Sequence, residues 1–224
     1  MVVVRHGKVI GEIYPAPFAP EYRHTMYSCS KTFVGAAVGL AIADNRLRLT
    51  DRVGAFFPEL LPDSVSTNLA DMTVRDLLTM TSGVTPDWNM RNLTPDWIRT
   101  FLAKPVKTPG KKFEYDSIST YMLSAIVQKV TGMTLLDYLK QKLFIPMHIT
   151  DVAWEISLKA SIPVLGTAYP ERVIGKIRIA AAEPGCLGRQ AVASGFLGGA
   201  DDDQTDRRLW LSDVALRISG CCTC

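Results

Sequence analysis

Ser28-Cys29-Ser30-Lys31-Thr32-Phe33-Val34-Gly35-Ala36-Ala37-Val38-Gly39-Leu40-Ala41-Ile42-Ala43 is the stretch on which the reading of this chain turns. After Lys31 it is apolar nearly all round, the pattern of a helix buried in a core rather than lying on a surface. Ser28 and Lys31 are three positions apart, so their side chains stack on one face of that helix. Burial disfavours the charged ammonium and makes the Lys31 amine available as a base. Ser28, at the first turn, gains free backbone N–H groups and the positive dipole end, which favour a developing oxyanion. Ser28 is therefore a candidate nucleophile and Lys31 its base. S-x-x-K alone is a loose pattern that an ordinary helix start also shows. The setting adds weight, because lysine inside a continuous apolar helix is rare unless paired or functional.

A second constellation is Phe113-Glu114-Tyr115-Asp116-Ser117, just after the turn signal Thr108-Pro109-Gly110-Lys111-Lys112. Ser117 reads as the N-cap of a helix from Ile118 to Val130, with Thr131-Gly132 as its stop. Tyr115 then sits on a loop immediately before a helix, a common place for catalytic side chains. Next to a lysine ammonium its phenolate form is favoured, which suits proton relay to a leaving group. The plainer alternative is a tyrosine packing at a loop–helix junction.

Ser28-x-x-Lys31 followed by Tyr115-x-Ser117 resembles the class C β-lactamase-related serine hydrolases. These penicillin-binding-protein-like enzymes include D-alanyl-D-alanine carboxypeptidases, esterases and amide hydrolases. Val2 to Ile10 resembles the family's opening hairpin, and Arg46 to Val53 with Phe56-Phe57-Pro58 the segment after the catalytic helix. Met72-Thr73-Val74-Arg75-Asp76-Leu77-Leu78-Thr79-Met80-Thr81-Ser82-Gly83 is similar to its most recognisable helix and turn. Leu143-Phe144-Ile145-Pro146-Met147 resembles the end of the helical region. The resemblance covers roughly residues 1–156. It implies that Ser28 is acylated, Lys31 accepts its proton and Tyr115 passes a proton to the leaving group. It also implies that Ser117 contacts substrate where many relatives carry asparagine; a serine reaches less far. No cofactor is implied, and the partner is a small-molecule or peptide substrate with an ester, amide or β-lactam group.

The expected architecture is α+β: an antiparallel sheet backed by helices, with a mostly helical subdomain at about 44–150 and the active site in the cleft between. Strands are expected within 2–14 around His6-Gly7, and helices at 28–43, about 73–79 with Thr73 and Asp76 at capping-box spacing, 94–103, 118–130 and 134–142. Trp88, Trp97 and Tyr121 are candidates for the cleft wall, with core packing as the alternative.

The chain has 224 residues, 47% hydrophobic content and net charge +3, enough for one domain or two small ones with a real core. That balance is too weak to argue for nucleic acid. No stretch is long and apolar enough to span a membrane. Met1-Val2-Val3-Val4-Arg5 is not a signal-peptide order, so the chain reads as cytoplasmic as written, or exported if its true start lies upstream.

Residues 157–224 read differently from 1–156. The tail has no Asn, Met or His and holds Cys186, Cys221, Cys222 and Cys224, four of the five cysteines. No second ligand pair at zinc spacing accompanies Cys221-Cys222-Thr223-Cys224, and the body has only Cys29, so neither a metal site nor a disulfide scaffold is supported. An out-of-frame tail is one explanation. Codons exist for Lys159 to Val164, Val192 to Gly199 and Arg208 to Val214 under which shifted frames restore family-like text. The family's third motif, a Lys-Thr-Gly or His-x-Gly type segment on a late edge strand, is not found in the chain. It would supply a second oxyanion-hole N–H, whose loss costs about 100- to 1000-fold in rate. Two function classes follow: a serine hydrolase acting through an acyl-enzyme, or a catalytically inactive remnant, at most a binding module. A Ser28–His24–Asp44 or Asp51 triad is a weaker alternative, since the nucleophile-elbow pattern is absent.

Overall fold

The apolar run folds as a helix, with a tighter beginning than its sequence suggests. The structure, a computed structural model, describes residues 1–6, 8–19, 22, 24–87, 96–147, 149, 151–157 and 167–175. Helix α1 covers Ser30–Ala43 and is entered through a 3-10 turn, Tyr27–Cys29, where a continuous helix from residue 28 was expected. Val34, Ala37, Val38 and Ala41 have no exposed surface. Beyond α1 come two short helices, α2 (Thr67–Asp71) and α3 (Val74–Leu78). The Thr73–Asp76 capping box starts α3: the Thr73 N–H donates to Asp76 Oδ2 at 2.8 Å and the Asp76 N–H to Thr73 Oγ1 at 3.4 Å.

Helices α4 (Trp97–Leu102), α5 (Ser117–Thr131) and α6 (Leu135–Leu139) follow, and α6 runs on into a π-helical turn at Lys140–Phe144. Every residue of α5 from Ser117 to Gln128 is buried. It is the axis of the molecule, packed by α1, α3, α4 and α6. Its stop is the one expected, Gly132 at φ 71°, a left-handed cap that glycine adopts without steric cost. Its start is not. Asp116, rather than Ser117, is the N-cap, accepting from the N–H groups of Ile118 at 2.9 Å and Ser119 at 2.8 Å. A carboxylate has two oxygens for two orphan donors, and one hydroxyl does not. Trp97 and Tyr121 pack ring against ring at 4.8 Å, both buried, so they belong to the core and not to a cleft wall.

Strands β1 (Val2–Arg5) and β2 (Lys8–Glu12) form the expected antiparallel hairpin, with His6 in the left-handed region at φ 49°. A second sheet of three strands is ordered β3 (His24–Thr25), β5 (Thr167–Gly175), β4 (Val152–Ser157), all antiparallel. Its central strand, β5, was not expected from the sequence. Pro170 falls where pairing is irregular, between Trp154↔Val173 and Ile156↔Ala168, the kind of position where a strand tolerates proline. β5 runs against α1, α5 and the Tyr27–Cys29 turn, so α1 has sheet on one flank and α5 on another. Trp88, residues 159–164, 192–199 and 208–214, and Cys186, Cys221, Cys222 and Cys224 lie outside the described residues.

Candidate active site

Two side chains, one from three positions along the chain and one from far away in it, converge on the hydroxyl oxygen of Ser28. Tyr115 Oη donates to Ser28 Oγ at 2.7 Å, across 87 positions of chain. Lys31 Nζ donates to the same oxygen at 3.2 Å and stands 5.1 Å from the centroid of the Tyr115 ring. The three-residue spacing of Ser28 and Lys31 therefore puts them in contact, as a helical start requires. Ser28 is exposed, and Tyr115 is 44% exposed, so the cluster opens to solvent. Lys31 is half-buried and not enclosed as its apolar run suggested, because the first turn of α1 reaches the open end of the helix. Among the described residues no carboxylate pairs with Lys31 Nζ.

The backbone explains how Ser28 is aimed. Tyr27, just before it, has φ 44°, a left-handed conformation uncommon for a bulky residue. The Cys29 N–H donates to Met26 O at 3.0 Å, closing the turn, and the fully buried Ser30 donates its hydroxyl to Tyr27 O at 2.6 Å. Sequence reasoning passed over Ser30 and Tyr27; the one available signal was a second hydroxyl inside the S-x-x-K stretch.

Tyr115 is held from the other side. Its loop is tied to residues 80–84 by Glu114 N–H to Met80 O at 2.9 Å, Gly110 N–H to Thr81 O at 2.8 Å and Lys107 N–H to Gly83 O at 2.9 Å. Gly83, at φ 79°, lies so close to the Lys107 carbonyl that a Cβ would overlap it. Lys112 hydrogen-bonds Glu114 at 2.8 Å and holds that carboxyl below the usual carboxylate range. The Asp116 cap then fixes where the loop becomes α5.

Ser117 stands apart from this cluster. Its hydroxyl is buried and, among the described residues, without a hydrogen-bond partner; it lines a small crevice with Asp87, Asp116 and Ile118. The carboxylates of the alternative triad are engaged elsewhere. Asp44 accepts from Tyr138 Oη at 3.0 Å and Lys142 Nζ at 2.9 Å, and Asp51 from the Arg48 N–H at 2.8 Å. Among the described residues no group of three His, Cys, Asp or Glu side chains is placed to hold a metal, and no helix is long and apolar enough to cross a membrane.

A helix head bearing serine and lysine, a tyrosine facing it from the loop before a buried helix, and an antiparallel sheet alongside define an α+β fold of the β-lactamase/transpeptidase type. Solved structures carry the same fold. One is the octameric penicillin-binding protein homologue from Pyrococcus abyssi, at TM-score 0.60 and 18% identity, covering 80% of this chain and 50% of that one. Another is a Bacillus anthracis protein assigned as a 6-aminohexanoate-dimer hydrolase, at TM-score 0.62 and 19% identity over 80% of this chain and 50% of that one. The family model described as Beta-lactamase matches residues 1–173, and the chain belongs to that family.

Among curated relatives, protein flp of Staphylococcus aureus (strain N315) is 26% identical over 171 residues, 69% of this chain and 34% of that protein. The 6-aminohexanoate-dimer hydrolase of Paenarthrobacter ureafaciens is 30% identical over 159 residues, 64% of this chain and 41% of the enzyme. The chain thus spans between a third and a half of the length of these relatives.

Proposed function

We propose that this chain is a serine hydrolase that forms an acyl-enzyme on the carbonyl of an ester, an amide or a β-lactam. The observation that carries this reading is the convergence of Tyr115 Oη and Lys31 Nζ on Ser28 Oγ, at 2.7 and 3.2 Å. Both distances lie within reach of direct proton transfer. Ser28 Oγ attacks the carbonyl carbon and its proton goes to the amine of Lys31. The tetrahedral adduct collapses, the bond to the leaving nitrogen or oxygen breaks, and Tyr115 Oη gives that atom a proton. The Lys31 ammonium in turn restores the phenol. Water then attacks the acyl carbon, one of its protons returns to Ser28 Oγ, and the acid product leaves. None of these steps draws on a cofactor.

Ser117 is the proposed substrate contact. Support for it is a buried hydroxyl with unused hydrogen-bonding capacity two residues beyond Tyr115. Membership of the β-lactamase family and the likeness to a relative that is a dimer hydrolase support hydrolysis as the class of reaction.

Hydrolysis of p-nitrophenyl esters and of nitrocefin, measured beside Ser28→Ala, tests the proposal. Turnover that disappears in the alanine variant is the expected result. Turnover surviving in Ser28→Ala excludes this mechanism. A folded chain that neither turns over nor is labelled by fluorescent penicillin or a fluorophosphonate supports the inactive remnant instead.

A further inference from the structure

The turn that carries the nucleophile contains a hydroxyl with no part in the chemistry outlined above. Ser30 is fully buried, and its Oγ donates to the carbonyl of Tyr27 at 2.6 Å, a short bond for a hydroxyl donor. Tyr27 is the residue held at φ 44°, and it is 70% exposed. An exposed ring gains little from burial, so side-chain packing does not account for a conformation that L-residues avoid. Strain of this kind persists where the surroundings over-determine it, and such positions cluster at functional sites. The peptide that Ser30 grips is the one joining Tyr27 to Ser28. Rotating that peptide would swing Ser28 Oγ away from Tyr115 Oη and Lys31 Nζ.

We propose that Ser30 is a positioning residue: its hydroxyl clamps the Tyr27 carbonyl, locks the left-handed turn and so holds Ser28 Oγ on Lys31 and Tyr115. The inference rests on the serine-hydrolase reading for its purpose, but the clamp itself is a statement about two residues that can be tested without turnover. Glycine adopts a positive φ at no steric cost, so the need for the clamp is smaller when position 27 is glycine. Ser30→Ala and Tyr27→Gly should therefore couple.

The test is a double-mutant cycle of Ser30→Ala and Tyr27→Gly, read by fluorophosphonate labelling and by thermal melting of the full chain. In the Tyr27 background, Ser30→Ala is expected to lower the maximal labelling rate about 100-fold, the effect of misplacing a reacting atom by about 1 Å. The half-saturating probe concentration should stay the same, which a general loss of packing would not produce. In the Tyr27→Gly background the same substitution should cost much less in rate and in melting temperature. Additive effects in both readouts, or a Ser30→Ala chain that labels as fast as the parent, overturn the clamp. A parent chain that melts cooperatively but never labels overturns the serine-hydrolase reading and with it the catalytic purpose of the clamp, while the melting cycle still decides whether the two residues are coupled.

Discussion

The N-termini of α1 and α5 meet at the Tyr115–Ser28 hydrogen bond, yet they are built in opposite ways. At α5, Asp116 satisfies the N–H groups of Ile118 and Ser119 and also accepts the Ser119 hydroxyl at 2.7 Å, all of it buried. At α1 the cap position is Cys29, which makes no side-chain capping bond, and the chain enters through a left-handed tyrosine. The first start is arranged for stability. The second gives up capping and a relaxed backbone, and in exchange it presents an exposed hydroxyl to a lysine and a tyrosine. Helix starts of the first kind anchor a fold; the second kind marks where chemistry is to be sought.

This contrast can be broken by substitution. Ser28→Ala should have the largest effect, lowering ester or nitrocefin turnover by about 10⁴-fold or more while leaving the melting temperature nearly unchanged, since the side chain is exposed. An alanine variant with substantial turnover would remove the distinction between the two helix starts. Tyr115→Phe deletes only the phenolic oxygen. On the proton-relay account it lowers turnover on the order of 100- to 1000-fold, with melting curves that overlay the parent.

Asp116→Ala should behave in the opposite sense. Losing the cap and leaving the buried Ser119 hydroxyl unpaired costs about 2–3 kcal/mol in urea unfolding, with a smaller effect on turnover by the molecules that remain folded. If Asp116→Ala left the urea midpoint in place, the α5 start would not anchor the fold.

The smallest effect concerns Tyr138, which is far from the nucleophile in the chain. Burial first, and the hydrogen bond to Asp44 second, hold its phenol protonated well above the ordinary tyrosine range. The unfolded chain ionises this group near pH 10. Above that pH the unfolded state binds fewer protons than the folded one, so stability falls as pH rises, by about 1.4 kcal/mol per pH unit for one group. Tyr138→Phe should cost about 1 kcal/mol at neutral pH through loss of the Asp44 bond and flatten that alkaline slope. An unchanged slope would show that Tyr138 is ionised in the folded chain.

Much of the core was legible because it is written in patterns that burial enforces. The apolar run of α1, the Thr73–Asp76 box and Gly132 all act where local preference and tertiary packing agree. Ser117 was misread as a cap because Asp116 and Ser117 are both good capping residues in adjacent positions, and only geometry shows that the carboxylate reaches two N–H groups. β5 was not legible: Thr167–Gly175 lacks alternation and carries Pro170, and its place is fixed by β3, β4 and α1 rather than by its own propensity. In the candidate site, residue type and position marked Ser28, Lys31 and Tyr115 as candidates, and the resemblance to the hydrolase family joined them into one constellation. The left-handed Tyr27 could not, because tyrosine disfavours that region and nothing local announces it.

Covalent modification of Ser28 can be measured without knowledge of the natural substrate. The full chain is treated with a fluorophosphonate, digested and analysed by mass spectrometry for the peptide carrying the adduct. A single phosphonylated position, Ser28, is expected, lost in Ser28→Ala and slowed in Tyr115→Phe. An adduct on any other residue, or a folded chain that takes up no probe, would contradict it.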